Sequence, residues 1–168
     1  MILKNQKMQQ ARSIGLAGLF SGIGKTISMD KFEDKLEVQK IAYIAQEYGI
    51  NLGYPFEWYL RGPYCKQVSE DAHVILDTKT ENISPSKAGL DEQQVKELGN
   101  ILRPFINNPE WLEIAGSLLY LRNENYAGKQ LDQIIGYMLE DLTYGYKNFN
   151  ESLVRKVLSD MVTIGLMK

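Results

Sequence analysis

Gly24-Lys25-Thr26 has the outline of the end of a phosphate-binding loop, which makes it the first place in the chain where residue types suggest chemistry. Such a loop also needs a glycine five positions before the second glycine, so that successive backbone amides can wrap the phosphates. Leu19 stands there, Gly18 is one residue too early, and no apolar strand leads in. Lys25 is therefore expected in a solvated turn. Cys65 is the one thiol and His73 the one imidazole. A thiol–imidazole pair works at hydrogen-bond distance, whereas eight residues along one helix separate these two by about 12 Å. With no second histidine, nothing is left to activate Ser69 or Ser117. Glu70-Asp71 and Glu140-Asp141 are adjacent pairs, and neighbours on a helix point about 100° apart, so neither pair converges on one proton or ion. A histidine-based metal site is excluded by the count of one. No catalytic residue, metal site or cofactor is expected, and the chain is read as not an enzyme.

What stands out instead is aromatic. Ten tyrosines and two tryptophans are present, and Tyr54, Phe56, Trp58, Tyr59 and Tyr64 crowd around Arg61. Large amphipathic rings and arginine are enriched where proteins bind one another. Phe56 and Trp58 could equally be core, with the tyrosines rimming it. On the first reading, Trp58, Tyr59, Arg61, Gly62, Pro63 and Tyr64 form a partner-binding surface.

The composition narrows the partner. The 168 residues, 44% of them apolar, suit one domain spanning 1–168 with one core. Nineteen basic residues face 21 acidic ones, for a net charge of −2. There is thus no long-range attraction to nucleic acid, and DNA binding would need a local basic face. Lys147, Arg155 and Lys156 are the candidates for that face, but Glu140, Asp141, Glu151 and Asp160 flank them. One cysteine fits a reducing, cytoplasmic compartment. Lys4, Lys7 and Arg12 before the apolar run 14–23 mimic a signal peptide. Gly15, Gly18 and Gly22 interrupt that run, and it falls short of the roughly 20 residues that span a bilayer. A buried helix is expected, with no membrane partner.

The elements that must position these residues follow from periodicity and end signals. Residues 1–10 are polar and expected to fray; 11–23 reads as a short apolar helix. Asp30 and Glu33 stand in capping-box spacing before a helix with Phe32, Leu36, Ile41, Ile44, Ala45 and Tyr48 on one face, closed by Gly49. In 56–61, Phe56, Trp58 and Leu60 alternate with Glu57, Tyr59 and Arg61, which predicts a short strand broken by Gly62-Pro63. A helix over 66–76 and an exposed loop over 77–89 come next. Asp91 and Gln94 open a helix to about Phe105, and Asn108-Pro109 opens another that buries Trp111, Leu112, Ala115, Leu118 and Leu119. Helices over 129–140 and from Asn150 to Gly165, joined by a turn at 142–148, give a helix-turn-helix-like outline without the β-hairpin of a winged helix. The fold class is mainly α, or α+β with a minor β component of one or two short strands.

The stretch LEVQKIAYIAQEYGINLGYPFEWYLRGPYC, residues 36–65, resembles the YwgA-like and Panacea-domain proteins, a family with SocA-like antitoxins. That family carries a Gln-Lys helix, a Tyr-x-Phe-x-x-Tyr stretch, and Gly-Pro-Tyr-Ser opening a helix with a later aspartate. Gln39, Lys40, Tyr54, Phe56, Tyr59, Gly62, Pro63, Tyr64 and Asp71 match; Cys65 stands where the family has serine, exchanging a good helix cap for a poor one. The resemblance implies a non-enzymatic role, in which an antitoxin-like protein neutralises a toxin-like partner protein by binding and masking it. A DNA-binding regulator using the C-terminal helix pair is the alternative.

Overall fold

The computed structural model describes residues 1–125, 129–143 and 149–168. Among them are seven α-helices and one two-stranded sheet: α1 (Ile2–Ile23), α2 (Phe32–Tyr48), β1 (Glu57–Tyr59), β2 (Gly62–Tyr64), α3 (Lys66–Thr78), α4 (Glu92–Leu102), α5 (Pro109–Tyr120), α6 (Leu131–Thr143) and α7 (Glu151–Thr163). A π-helical turn, Leu121–Asn125, extends α5. The mainly helical fold with a small β component is the one the periodicity predicts.

Three helix starts carry the expected side-chain caps. Asp91 accepts from the amide of Gln94 at 2.9 Å, Asn108 from Trp111 at 3.0 Å, and Asn150 from Leu153 at 2.7 Å. These side chains satisfy amides that the first turn leaves free. At α2 the cap differs from expectation. Asp34, not Glu33, reaches back to the amide of Lys31 at 3.1 Å, with Ser28 donating to the same carboxylate at 2.8 Å. Those bonds hold the Asp34 carboxyl below its ordinary value, the Ser28 contact first. Phe32 thus sits in the first turn and is exposed rather than inward-facing.

From Leu36 to Ala45 every residue of α2 is buried, including Glu37, Gln39 and Lys40. The helix is the central post. It packs on α3 along one side and on α5 and β2 along another, so no face is left for water. One buried apolar cluster draws on all seven helices. Trp111 joins α5 to α7 by donating from Nε1 to Asp160 at 3.1 Å.

Four further expectations are corrected. Residues 2–10 continue α1 rather than fraying, although their side chains are mostly exposed. Gly62-Pro63 does not end the β-structure: Gly62–Tyr64 is itself a strand, antiparallel to β1, with Pro63 opposite Trp58. A two-stranded hairpin consists of edges, where a missing amide is tolerated. The stretch 77–89 is not a free loop, because α3 runs to Thr78 and both Pro85 and Ala88 pack against α1. Lys25, expected in a solvated turn, is ion-paired to the buried Glu37 and donates to Asn107 at 2.7 Å.

Two glycines of α1, Gly18 and Gly22, permit that packing. A Cβ on Gly18 would lie 2.3 Å from Ala88 Cβ, and one on Gly22 would lie 2.5 Å from Pro85 Cγ and from Val95 Cγ1. Gly18→Ala should therefore destabilise, because overpacking costs about 1–3 kcal/mol and outweighs a helix-propensity gain of about 1 kcal/mol. Gly136→Ala in α6, where a Cβ meets nothing within 4 Å, should instead stabilise by up to about 1 kcal/mol. Opposite signs in urea unfolding are expected; a shift of the same sign in both would refute the steric account.

Candidate functional site

The hairpin and the extended chain before it are gripped by side chains of α2. Gln39 uses both ends of its amide on Cys65: Nε2 donates to the Cys65 carbonyl at 2.8 Å, and Oε1 accepts from its amide at 3.0 Å. Two turns on, Gln46 does the same for Tyr54, at 3.0 and 2.8 Å. Seven residues apart, the two glutamines lie on one side of the helix. Between them Lys40, only 3% exposed, donates from Nζ to the Pro63 carbonyl at 2.7 Å. Backbone groups outside regular structure must find partners when buried, and these residues supply them.

Lys40 lies beneath a close approach of backbone to helix. Gly62 has φ +88°, and a Cβ there would sit 2.2 Å from the Ser117 hydroxyl on α5. Ser117 itself donates to the Glu113 carbonyl at 2.7 Å. Burial pushes the Lys40 ammonium down to about 7; the nearby Glu113 partly opposes this and Arg61 adds to it. Arg61 spans the margin of this cluster, with its guanidinium 3.9 Å from Glu113 and 4.5 Å from the Phe32 ring centroid.

A second buried polar group anchors the start of the extended segment. Tyr54 donates to Asp71 at 2.9 Å, and Arg12 donates to the same oxygen at 3.3 Å. Burial, then the neighbouring Asp71, drives the Tyr54 phenol well above its ordinary value. Burial also raises the Asp71 carboxyl, opposed by Tyr54 and Arg12. Cys65 starts α3 without a side-chain cap and is buried, which raises its thiol. His73 is exposed on the same helix and Glu70 pairs with Lys66, so neither joins Asp71 or Cys65 in a reactive arrangement. Among the described residues no cluster of three or more metal-ligating side chains occurs, and no helix is long and apolar enough to cross a membrane.

The aromatics divide into two sets. Tyr43, Phe56, Trp58 and Tyr120 form an inner ladder with ring centroids 5.1 to 5.9 Å apart. Tyr59 and Tyr64 form an outer pair at 5.5 Å. Outside, Tyr59 is 59%, Phe32 53%, Leu60 53% and Tyr64 37% exposed. They border a groove of about 380 Å³ between the hairpin and the start of α2, with Lys35 and Arg61 at its margin and Ser69 in its wall. No family model, curated protein or solved structure matches the chain.

Of the six residues expected to contact a partner, Tyr59, Arg61 and Tyr64 reach the groove. Trp58 is half-buried against Tyr120. Gly62 and Pro63 are buried and act as the rigid corner beneath, which corrects their placement on the contact surface. Leu60, expected inward, is instead exposed at the hairpin turn. Phe32 was missed as a surface residue because its place in the helical period suggested core; its position in the first turn was the signal that could have revealed it.

The basic candidates at the C-terminus are engaged. Arg155 pairs with Glu151 and Asp132, both at 2.8 Å, and Lys156 pairs with Asp160 at 3.1 Å. Lys147 lies outside the described residues, as does most of the expected 142–148 turn. A larger cavity, about 490 Å³, lies between α2 and the C-terminal residues. Three of its polar side chains are already engaged: Arg122 donates to the Lys129 carbonyl at 2.8 Å, and Asn123 donates to Glu47.

Proposed function

We propose that the protein is a non-enzymatic binding module, antitoxin-like in action, that masks a partner protein through the groove formed by the hairpin and the start of α2. The observation that carries this reading is the contrast between the two layers. Four large side chains, Phe32, Tyr59, Leu60 and Tyr64, are left in water. They stand on a base whose backbone is clamped by Gln39, Lys40 and Gln46. Anchors held rigidly lose little entropy on binding, so their apolar area converts more fully into affinity. A standard interface buries about 800 Å² on each side, which extends well beyond the groove. The resemblance of residues 36–65 to YwgA-like and Panacea-domain proteins is consistent with such a role, since the matching residues Gln39, Lys40, Tyr54, Gly62, Pro63 and Asp71 form the buried support.

Affinity capture from the native host, with the partner identified and quantified, tests the reading. Phe32→Ala, Tyr59→Ala and Tyr64→Ala combined should reduce recovery of that partner at least about tenfold, since interface anchors are each worth ~2 kcal/mol. The thermal midpoint should remain close to that of the parent, because these side chains are exposed. Equal recovery from a folded triple variant would remove the groove as the contact surface.

A further inference from the structure

The groove has a chemical polarity that the chain as a whole lacks. The protein carries a net charge of −2, yet the two charged side chains that line the groove and reach solvent, Lys35 and Arg61, are both cations; the third lysine or arginine there, Lys40, is buried and bound to the Pro63 carbonyl. Lys35 is exposed and has no carboxylate partner among the described residues. The neutral polar groups can also donate to an anion. Ser69 accepts from Gln39 Nε2 at 2.9 Å, which leaves the serine its own proton to give. The phenols of Tyr59 and Tyr64 are likewise available as donors. Gln39, whose oxygen could accept, has it taken by the Cys65 amide at 3.0 Å. Around these donors lie the exposed faces of Phe32, Tyr59 and Leu60.

We infer that the groove takes a partner segment in which a large apolar side chain stands beside an aspartate or glutamate. The apolar group would lie between Phe32, Tyr59 and Leu60. The carboxylate would face Lys35 and the free edge of the Arg61 guanidinium. A basic segment would meet like charge, and a neutral one would leave Lys35 without a counter-ion, Arg61 already having Glu113 at 3.9 Å. This inference rests on the groove being the partner site.

Selection of a displayed random peptide library on the full-length protein tests it, followed by fluorescence anisotropy with the recovered peptide. Recovered sequences should place Asp or Glu next to Phe, Leu, Ile or Trp. Changing that acid to its amide should weaken binding about tenfold, as expected for a charge-assisted hydrogen bond, and Lys35→Glu should do the same. The affinity should also fall with added salt. Peptides that lose binding with Tyr59→Ala yet carry no acidic preference would overturn the inference while leaving the groove as the partner site. Failure to recover any peptide dependent on Tyr59 would overturn both. Tyr59-dependent self-association in sedimentation would identify a second copy as the occupant, and so also overturn the inference.

Discussion

Gly62→Ala is expected to destabilise the protein by on the order of 3 kcal/mol, combining left-handed backbone strain of about 1–2 kcal/mol with overpacking of about 1–3 kcal/mol. The strain follows from φ +88°, and the overpacking from a Cβ 2.2 Å from the Ser117 hydroxyl. In urea, such a loss moves the unfolding midpoint by roughly 1–3 M for a typical small-domain dependence. Two controls separate the contributions. Gly53 also has positive φ, +80°, but a Cβ there meets nothing within 4 Å, so Gly53→Ala should show the strain alone. Adding Ser117→Ala to Gly62→Ala removes the clashing oxygen and should recover part of the loss. Strict additivity of the two substitutions would mean that Ser117 is not the obstacle. The same variant should weaken partner capture, because the displaced hairpin carries Tyr59 and Tyr64.

The second large effect concerns Lys40 and pH. Its folded-state value, about 7, lies below the ordinary 10.5. Between those values the unfolded chain binds a proton that the folded chain does not, so stability rises with pH across that window. Below pH 7 both states are protonated, and the full cost of the buried ammonium is present. From pH 7 to 9 the gain approaches about 2 kcal/mol, since each pH unit contributes at most about 1.4 kcal/mol. Lys40→Met should remove this dependence while leaving the Pro63 carbonyl without its donor, a loss of about 1–3 kcal/mol. The informative quantity is the parent-minus-variant difference in unfolding free energy, in which other titrating groups largely cancel. It should grow steadily between pH 7 and 9. A difference independent of pH would mean that Lys40 remains charged in the folded protein throughout.

These two residues also mark where the sequence is legible and where it is not. Helix boundaries set by local chemistry were readable: Asp91, Asn108 and Asn150 cap as their spacing predicts. Such bonds span three residues and need no tertiary information. The α2 helix was readable as a helix but not in its environment. A 3.6-residue period assumes one wet face, whereas α2 is enclosed from Leu36 to Ala45. Gln39, Lys40 and Glu37 are not among the apolar residues that this period picks out, yet all three are buried. Their partners, Cys65, Pro63 and Lys25, could be identified only once the chain had folded back. Within the site, exposure reversed two expectations: Phe32 and Leu60 fit the apolar period and yet face water. Tyr59, Arg61 and Tyr64 line the groove, and large aromatics beside an arginine draw notice by residue type alone. Gly62 and Pro63 drew notice for the same stretch, but their contribution is to backbone shape.

The clamp on Pro63 has one more effect, on how the hairpin meets other chains. A strand edge recruits foreign strands by offering alternating amide and carbonyl groups. At the middle of β2 the proline has no amide to offer, and its carbonyl is already bound by Lys40. That edge is thereby insulated against templated aggregation, and docking there must proceed through side chains rather than by extension of the sheet.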